Sequence, residues 1–441
     1  MGEPFHNHRC RYAGLPEGKP SNAHFVFGNK CLWRDADRGR GMAKSSVPSI
    51  DCSHMGVVGE ICKGAIHWVY RVMFAANPCF GTPRPSSPCH HGASTDITVQ
   101  KAQMDSRLDL ASSDATLRQA VNSFAKPSVR ISIFQLLTSI GPFLASCTAM
   151  YLVYPISPLL TLALSIPTGA LLVRVFIVQH DCGHGSFFAS RAVNQAVGRL
   201  CSLITLTPFA NWGRQHAAHH ANWNNLDRQS AGSDIYSACL TVREYLALTP
   251  WRRFLYRLPR HPLIANILLP PLVFMLLYRV PFDTPRAWVR ERWSVHLTNL
   301  ALAALFGFLV VLLGWREVVL VHIPVMVVSS ILGVWLFSLQ HRFETSHWAG
   351  KSEWSFVEAA LEGSSYFHLP PLLQWLTGNI GFHHVHHLNP RIPNYNLPPA
   401  HEAVSALRSV PTLRLRAGLG ATRLTLWDEE HSRLVRFSDV E

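Results

Sequence analysis

The sequence has 441 residues and few charged side chains, since Asp, Glu, Lys and Arg together make up only 15% of it. Soluble domains usually have about a quarter, so the low share excludes a disordered protein and a highly solvated coiled coil. No two cysteines have the CxxC spacing of a zinc ribbon. No GxGxxG motif follows a predicted strand and no His-Pro-Gly-Gly segment is present, so neither a nicotinamide or flavin site nor a fused haem domain is recognisable.

Hydrophobic residues make up 48% of the chain and are concentrated between about 131 and 340. Runs of about twenty apolar residues are long enough to cross a bilayer core of about 30 Å. Four runs have this length: Ile131–Tyr154, Ile156–Val178, Val295–Leu313 and Val318–Leu339. The short links within each pair predict two antiparallel hairpins. A weaker run, Pro262–Tyr278, contains two adjacent prolines and is flanked by arginines, so we expect it to lie in the membrane interface.

The formal net charge of +13 is unevenly distributed. Nine arginines and three acidic residues lie between Arg243 and Arg292, whereas the two hairpin tips together carry one arginine and one acid. Positive loops stay in the cytoplasm, so this region and both chain termini are predicted to be cytoplasmic. Because the arginines alternate with apolar runs, membrane loops are favoured over nucleic-acid binding. The predicted fold is an all-α integral membrane protein with four transmembrane helices in two hairpins and a cytoplasmic helical cap.

Four regions are predicted along the chain. Residues 1–103 are rich in Gly, Pro, Ser, His and Cys, and are either a disordered extension or sequence upstream of a true start near Met104. Residues 104–130 contain an amphipathic helix that leads to the membrane. Residues 131–387 form the transmembrane domain with its cap, and residues 388–441 are expected to form a soluble tail.

Histidine is unusually abundant, with 24 residues, and nine of the histidines after residue 100 occupy four places at predicted cytoplasmic ends of helices. Helical residues three or four positions apart share a face, so each cluster presents its imidazoles in one direction. Neutral imidazole suits iron, zinc, copper and nickel, and nine ligands are too many for one ion and suit two. The predicted metal ligands are His180, His184, His216, His219, His220, His341, His383, His386 and His387.

Residues near these clusters are candidates for orienting the ligand imidazoles through their ring N–H groups. For the acids, ion pairs with nearby arginines are an equally good interpretation. The candidates are Asp181, Asp227, Asp234, Glu344 and His384. Ordinary surface or helix-end positions are expected for His261, His296, His322, His401 and His431.

Three segments resemble the histidine boxes of the membrane fatty acid desaturases. They are HDCGHGSFF (His180–Phe188), HAAHH (residues 216–220) and GNIGFHHVHHLNPRIPNY (Gly378–Tyr395). Within that family they are most similar to bacterial acyl-lipid desaturases of the omega-6 type, as is LQHRFETSHW (Leu339–Trp348). The resemblance extends from about Ala115 to Phe437. In the family a further histidine completes the metal shell, and His341 occupies the corresponding place.

The resemblance implies an enzyme that inserts a cis double bond into a fatty acyl chain, preferably lipid-linked. Two iron ions (Fe2+/Fe3+) would be the cofactors and O2 the co-substrate, with no catalytic residue beyond the metal centre. The implied location is a bacterial inner membrane, with the histidines on the cytoplasmic side. An external donor, a ferredoxin or a small cytochrome, would supply electrons and be guided by the arginine-rich face. The loop after the second box, from Asn222 to Asn224, departs from the family pattern, so it is expected to affect substrate preference.

Two other functions remain open at this stage. A related di-iron hydroxylase or ketolase, acting on a hydrocarbon, sterol or carotenoid, would return oxygen to carbon instead of removing a second hydrogen. A metal transporter would require polar ligands within the spans, where the main candidates are His322 and Arg174.

Overall fold

The computed structural model describes residues 114–227 and 239–441, and these are mostly helical. Helical residues 114–122 come first. The α-helices that follow are α1 Val129–Val153, α2 Pro158–His184, α3 Arg191–Ile204, α4 Phe209–Asn222, α5 Val242–Leu246, α6 Pro250–Arg257, α7 Leu269–Met275, α8 Val289–Leu313, α9 Trp315–His341, α10 Phe356–Leu361, α11 Pro371–Leu376, α12 His383–Leu388, α13 Leu397–Ala403, α14 Ser405–Arg408 and α15 Leu415–Ala421. The strands are β1 Leu240–Thr241, β2 Tyr366–Phe367, β3 Thr412–Leu413, β4 Leu426–Asp428 and β5 Arg433–Val435. Residues 1–103, with their two predicted alternatives, lie outside the described residues.

Within the described ranges, four helices are long and apolar enough to cross a membrane, namely α1, α2, α8 and α9. Each contains most of one predicted apolar run. Their outer faces carry exposed hydrophobic side chains, such as Leu152 (69% exposed) and Val311 (88% exposed). Apolar surface on this scale is not stable in water but matches the hydrocarbon core of a bilayer. By length, composition and surface, these four helices are therefore the candidate membrane spans.

Helix α2 is the most buried of the four spans and packs against α1 and α9. It begins after Ser157, whose hydroxyl accepts a hydrogen bond from the N–H of Leu160 at 3.2 Å, an ordinary helix N-cap. Gly169 allows the close approach to α9, because a Cβ at this position would lie 2.6 Å from Cγ1 of Val328. Small residues have this role at crossings of membrane helices.

The weaker apolar run, Pro262–Tyr278, contains most of the segment Ile264–Arg279, which meets the preceding segment Pro250–Arg260 at 46°. By length and composition the pair could be a fifth, broken span or a re-entrant segment. Its second segment contains a π-helical turn, Ile264–Leu268, followed by α7. The missing N–H groups of Pro270 and Pro271 near the start of α7 interrupt regular helix geometry here. The interfacial position predicted for this run stays a prediction.

Residues after Leu388 pack on the rest of the chain. Strand β4 pairs in parallel with β1 and antiparallel with β5. The carboxylate of Glu441 accepts hydrogen bonds from Arg257 at 2.7 Å and from the hydroxyl of Tyr245 at 2.8 Å. Asn394 contacts α1 and α2. The segment predicted as a soluble tail therefore contacts both the spanning helices and the arginine-rich region.

Candidate metal centre

The last turn of α2 carries the first two candidate ligands, His180 and His184. Their spacing of four residues places both on one face of the helix. The helix ends at Gly185, which has a left-handed φ of 71° and donates its N–H to the carbonyls of Asp181 and Cys182. Glycine adopts this conformation without a steric penalty, so the sequence stops the helix directly after the second histidine.

Helix α4 carries His216, His219 and His220. Trp212, one turn earlier, stacks on His216 with ring centroids 4.8 Å apart and an interplanar angle of 14°. His341 is the last residue of α9. Helix α12 has only six residues and carries three candidates, His383, His386 and His387, all of them buried. Four helices thus bring nine histidines to one region.

The nine imidazoles form two groups. In the first, one ring nitrogen from each of five residues lies within 4.8 Å of all the others: His180, His184, His216, His220 and His386. In the second, His219, His341 and His387 meet the same condition. His383 joins the second group, because its Nε2 is 3.0 Å from Nε2 of both His341 and His387. The structure therefore brings together all nine histidines predicted from the sequence.

The distances between ring nitrogens suit coordination of a common ion. Nε2 of His216 is 2.9 Å from Nε2 of His180, and Nε2 of His386 is 3.0 Å from Nε2 of His220. Two nitrogens bound to one ion at right angles, each at about 2.1 Å, lie about 3 Å apart. Nε2 of His184 is buried and has no hydrogen-bond partner among the described residues. A bound metal ion would satisfy such a nitrogen.

Burial favours the neutral form of several of these imidazoles. Desolvation lowers the pKa of His219 to about 3, and burial together with the neighbouring rings lowers the pKa of His386 and His387 well below the usual range. A neutral imidazole keeps the lone pair that a metal requires. Since both groups consist entirely of imidazole, the donor set fits iron, zinc, copper or nickel and not magnesium or calcium.

Asp181, one of the candidate orienting residues, contacts His180, a candidate metal ligand. Its Oδ1 is 3.3 Å from Nδ1 of His180, and its Oδ2 accepts hydrogen bonds from the backbone and side-chain amides of Asn394 at 2.7 and 2.8 Å. Asn394 in turn accepts a hydrogen bond from Gln135 of α1 at 2.6 Å. On the second group, Nδ1 of His341 is 3.4 Å from the carbonyl oxygen of Gly363.

The other four candidates have different surroundings. Asp227 accepts a hydrogen bond from the backbone N–H of Lys351 at 2.7 Å, and Glu344 is largely exposed and 3.4 Å from Arg433. His384 lies on α12, and its Nε2 is 3.0 Å from Nδ1 of His401. Asp234 lies outside the described residues. His401, expected at an ordinary surface or helix-end position, lies in the last turn of α13 and is buried beside His384.

The loop after α4 forms hydrogen bonds with residues that follow α9 in the chain. Trp223 is fully buried, and its ring lies 4.1 Å from that of His387 while its Nε1 donates to the carbonyl of Ala359 at 2.9 Å. The side-chain amide of Asn224 donates to the carbonyls of His347 and Gly363 at 2.9 and 3.1 Å. The loop that departs from the family pattern therefore packs against His387 of the second histidine group.

Asn394, Trp212 and Trp223 were not predicted as site residues from the sequence. Signals for them exist, since Trp212 lies one helical turn before His216, and Asn394 falls inside the third segment that resembles the family. Trp223 lies three residues after His220, in the loop noted for its departure from the family pattern, but its contact with His387 joins residues far apart in the chain.

A cavity of about 230 Å³ reaches both histidine groups. Its wall includes His180 and His216 of the first group and His219 and His383 of the second. Most of the remaining wall is apolar and comes from α2, α7 and α9. The cavity could therefore hold a hydrocarbon segment beside the metal-binding nitrogens.

Comparison with known proteins gives consistent results. A model of the family "Fatty acid desaturase" matches residues 155–412, which contain all nine histidines. A "Fatty acid desaturase" of Bacillus subtilis is 42% identical over 332 residues, covering 75% of this chain and 93% of that protein.

Two proteins of Synechocystis sp. are more distant relatives. The "sn-1 acyl-lipid omega-3 desaturase (ferredoxin)" is 28% identical over 253 residues, or 54% of this chain and 66% of that protein. The "sn-1 oleoyl-lipid 12-desaturase" is 29% identical over 237 residues, or 53% of this chain and 65% of that protein. The family match and the extent of the Bacillus alignment show that this chain belongs to the fatty acid desaturase family and is a desaturase enzyme.

Proposed function

We propose that the protein inserts a cis double bond into a lipid-linked fatty acyl chain, with two iron ions held by the nine histidines. In the overall reaction two adjacent methylene groups each lose one hydrogen. O2, two electrons from an external donor and two protons complete the balance, and two water molecules form. Iron would supply the reduction of O2 and the removal of hydrogen from an unactivated methylene, which no amino-acid side chain can perform.

The proposal rests mainly on one observation: the wall of the apolar cavity includes histidines of both groups. Five of the histidines would hold one ion and four the other. His180 and His383, one from each group, both line the cavity, so an acyl chain there would lie beside both ions. The apolar wall excludes water from the reacting methylene groups, which protects a strong oxidant from side reactions.

Residues around the histidines keep them in place. Asp181 accepts the Nδ1 proton of His180 and so leaves Nε2 free to bind the ion. Trp212 fixes the ring plane of His216 by stacking, and Trp223 packs behind His387. The apolar cavity itself holds the acyl chain and orients it.

The lipid-linked substrate and the electron donor are proposed from the relatives. The names of the two Synechocystis proteins specify acyl or oleoyl lipids, and one of them specifies ferredoxin. We propose that this chain likewise acts on a lipid-linked acyl chain and receives electrons from a ferredoxin or a small cytochrome. Exposed arginines such as Arg252 and Arg286 would attract an acidic donor.

The proposed arrangement has two transmembrane hairpins, α1–α2 and α8–α9, with the histidines and the arginine-rich segment in a cytoplasmic cap. The location would be a bacterial inner membrane. Residues 131–387 would form this domain, with the region of residues 104–130 leading to it. The excess of arginine over acid between Arg243 and Arg292 supports the orientation.

Expression in a host without its own desaturases tests the reaction. We expect new double bonds in the acyl chains of the membrane lipids, identified by gas chromatography with localisation of the double bond. The matched variant His386→Ala should remain in the membrane and give no product. New hydroxyl or keto groups without double bonds would instead indicate the related hydroxylase or ketolase chemistry and contradict the proposal.

A further inference from the structure

One face of α9 lines the cavity along much of its length. Met326, Ser330, Gly333 and Phe337 all belong to the cavity wall. Their spacing of three or four residues keeps them on one side of the helix, and His341 continues the series one turn after Phe337. With a rise of about 1.5 Å per residue, the distance along the helix from Met326 to His341 is about 22 Å. The cavity thus extends from the histidines well into the spanning region.

Gly333 lies near the middle of this face and is not required there by packing. A Cβ at Gly333 would have no heavy atom within 4 Å. Gly169 of α2 is different, because its Cβ would collide with Val328 across the helix crossing. The backbone of Gly333 also has no positive φ. Neither a close helix contact nor an unusual backbone conformation therefore accounts for glycine at this position.

Because glycine has no side chain, position 333 instead leaves the cavity open along α9. Measured along α9, Gly333 is about 12 Å from His341, and Met326 is about 10 Å further from the histidines. Apolar residues, including Leu172 and Leu269, contribute to the wall. Such a wall favours the hydrocarbon end of an acyl chain over its polar head.

We propose that Gly333 determines how long an acyl chain the enzyme accepts beyond the reacting carbons. A larger side chain at this position points into the cavity and closes the part that continues to Met326. The inference rests on the proposed desaturase function and adds to it a residue that selects chain length. A variant with a larger side chain at position 333 should still accept substrates whose methyl end stops before this position, and it should exclude longer substrates.

A graded series of variants, Gly333→Ala, Gly333→Leu and Gly333→Phe, tests this role. The full chain is expressed in a host without desaturases that is supplied with myristic, palmitic and stearic acids. The ratio of long to short desaturated products should fall stepwise with side-chain size. For Gly333→Phe we expect a fall of at least about tenfold, because one methylene too many in an apolar pocket changes specificity by about 10–200-fold. Iron content should stay at the wild-type level.

Gly307→Phe is the matched control. Gly307 also has no heavy atom within 4 Å of an added Cβ, but it is exposed on α8 and does not belong to the cavity wall. This variant should keep the wild-type product ratio. A wild-type ratio in Gly333→Phe would overturn the inference. So would an equal loss of all products in Gly333→Phe if the Ala and Leu variants kept the wild-type ratio.

Failure of the proposed function gives a different result, because the wild-type chain then forms no double bonds in any lipid. In that case mass spectrometry of acyl chains that copurify with the protein still tests the cavity. Gly333→Phe should retain shorter chains than the wild type and Gly307→Phe. The same chain lengths in all three proteins would contradict the role of Gly333.

Discussion

Asn394 donates two hydrogen bonds to a single carboxylate oxygen of Asp181, from its backbone amide at 2.7 Å and its side-chain amide at 2.8 Å. Both residues are buried. The second oxygen of Asp181 is then held 3.3 Å from Nδ1 of His180. A segment far along the chain thus fixes the carboxylate that orients one candidate ligand.

Replacing this carboxylate should weaken iron binding. For Asp181→Asn we expect an affinity about 10–100-fold lower than that of the wild type, as is common when a partner of a metal-binding histidine is lost. Competition with a chelator measures the affinity. Glu344→Gln is the control, since this acid is also close to a histidine in sequence but its side chain is 65% exposed beside Arg433. Equal affinities for wild type and Asp181→Asn would contradict the orienting role.

Replacing one histidine should remove iron from the group to which it belongs and not from the other group. His386→Ala removes a member of the first group, and His219→Ala removes a member of the second. Each variant should hold no more than one iron per chain and form no double bonds. His431→Ala, at an exposed position beside Asp428, should retain the wild-type iron content. A full iron content in either of the first two variants would remove that histidine from the ligand set.

Trp223 should contribute strongly to stability. Its ring is 1% exposed, so Trp223→Ala leaves a cavity and should cost about 3–5 kcal/mol of unfolding free energy. Trp223→Phe retains most of the ring and should cost less, mainly through the lost hydrogen bond to Ala359.

Thermal unfolding of the purified variants in one detergent measures these differences. The midpoint should fall most for Trp223→Ala and less for Trp223→Phe. Trp251→Ala is the control, because Trp251 is 66% exposed, and its midpoint should stay near that of the wild type. The prediction fails if Trp223→Ala and Trp251→Ala unfold at the same temperature.

Electron transfer from ferredoxin should depend on the exposed arginines. The double variant Arg252→Glu and Arg286→Glu should lower kcat/KM for ferredoxin at low salt, and the wild-type rate itself should fall as salt rises, because salt screens long-range attraction. Arg316→Glu, a charge reversal in the first turn of α9, is placed on the opposite membrane side in the proposed topology and should have no effect. A wild-type rate that does not respond to salt would argue against this docking face.

The four long apolar helices and the clustering of the nine histidines were predictable because their signals are local. An apolar run of about twenty residues indicates a span, and a spacing of three or four residues places imidazoles such as His216 and His220 on one helix face. The meeting of His180 with His386 was inferred from the predicted topology, and the structure places their ring nitrogens in one group.

Contacts between distant segments were not predictable in the same way. Proximity in sequence suggested Glu344 as an orienting residue, but this side chain pairs with Arg433 at the surface. Asn394 and Trp223 lie in segments that the sequence singled out, but their contacts with Asp181 and His387 depend on tertiary packing between distant segments. His401 lies near the end of α13, as the predicted surface or helix-end position allows, but its burial beside His384 depends on tertiary packing.

Metal analysis of the purified full-length protein tests the central claim most directly. Inductively coupled plasma mass spectrometry, combined with a protein concentration from amino-acid analysis, gives the number of metal ions per chain. We expect two iron ions per chain, because the structure divides the nine histidines into two groups. A fully folded, iron-supplied protein that contains a single ion per chain, or zinc in place of iron, would contradict the proposed di-iron centre.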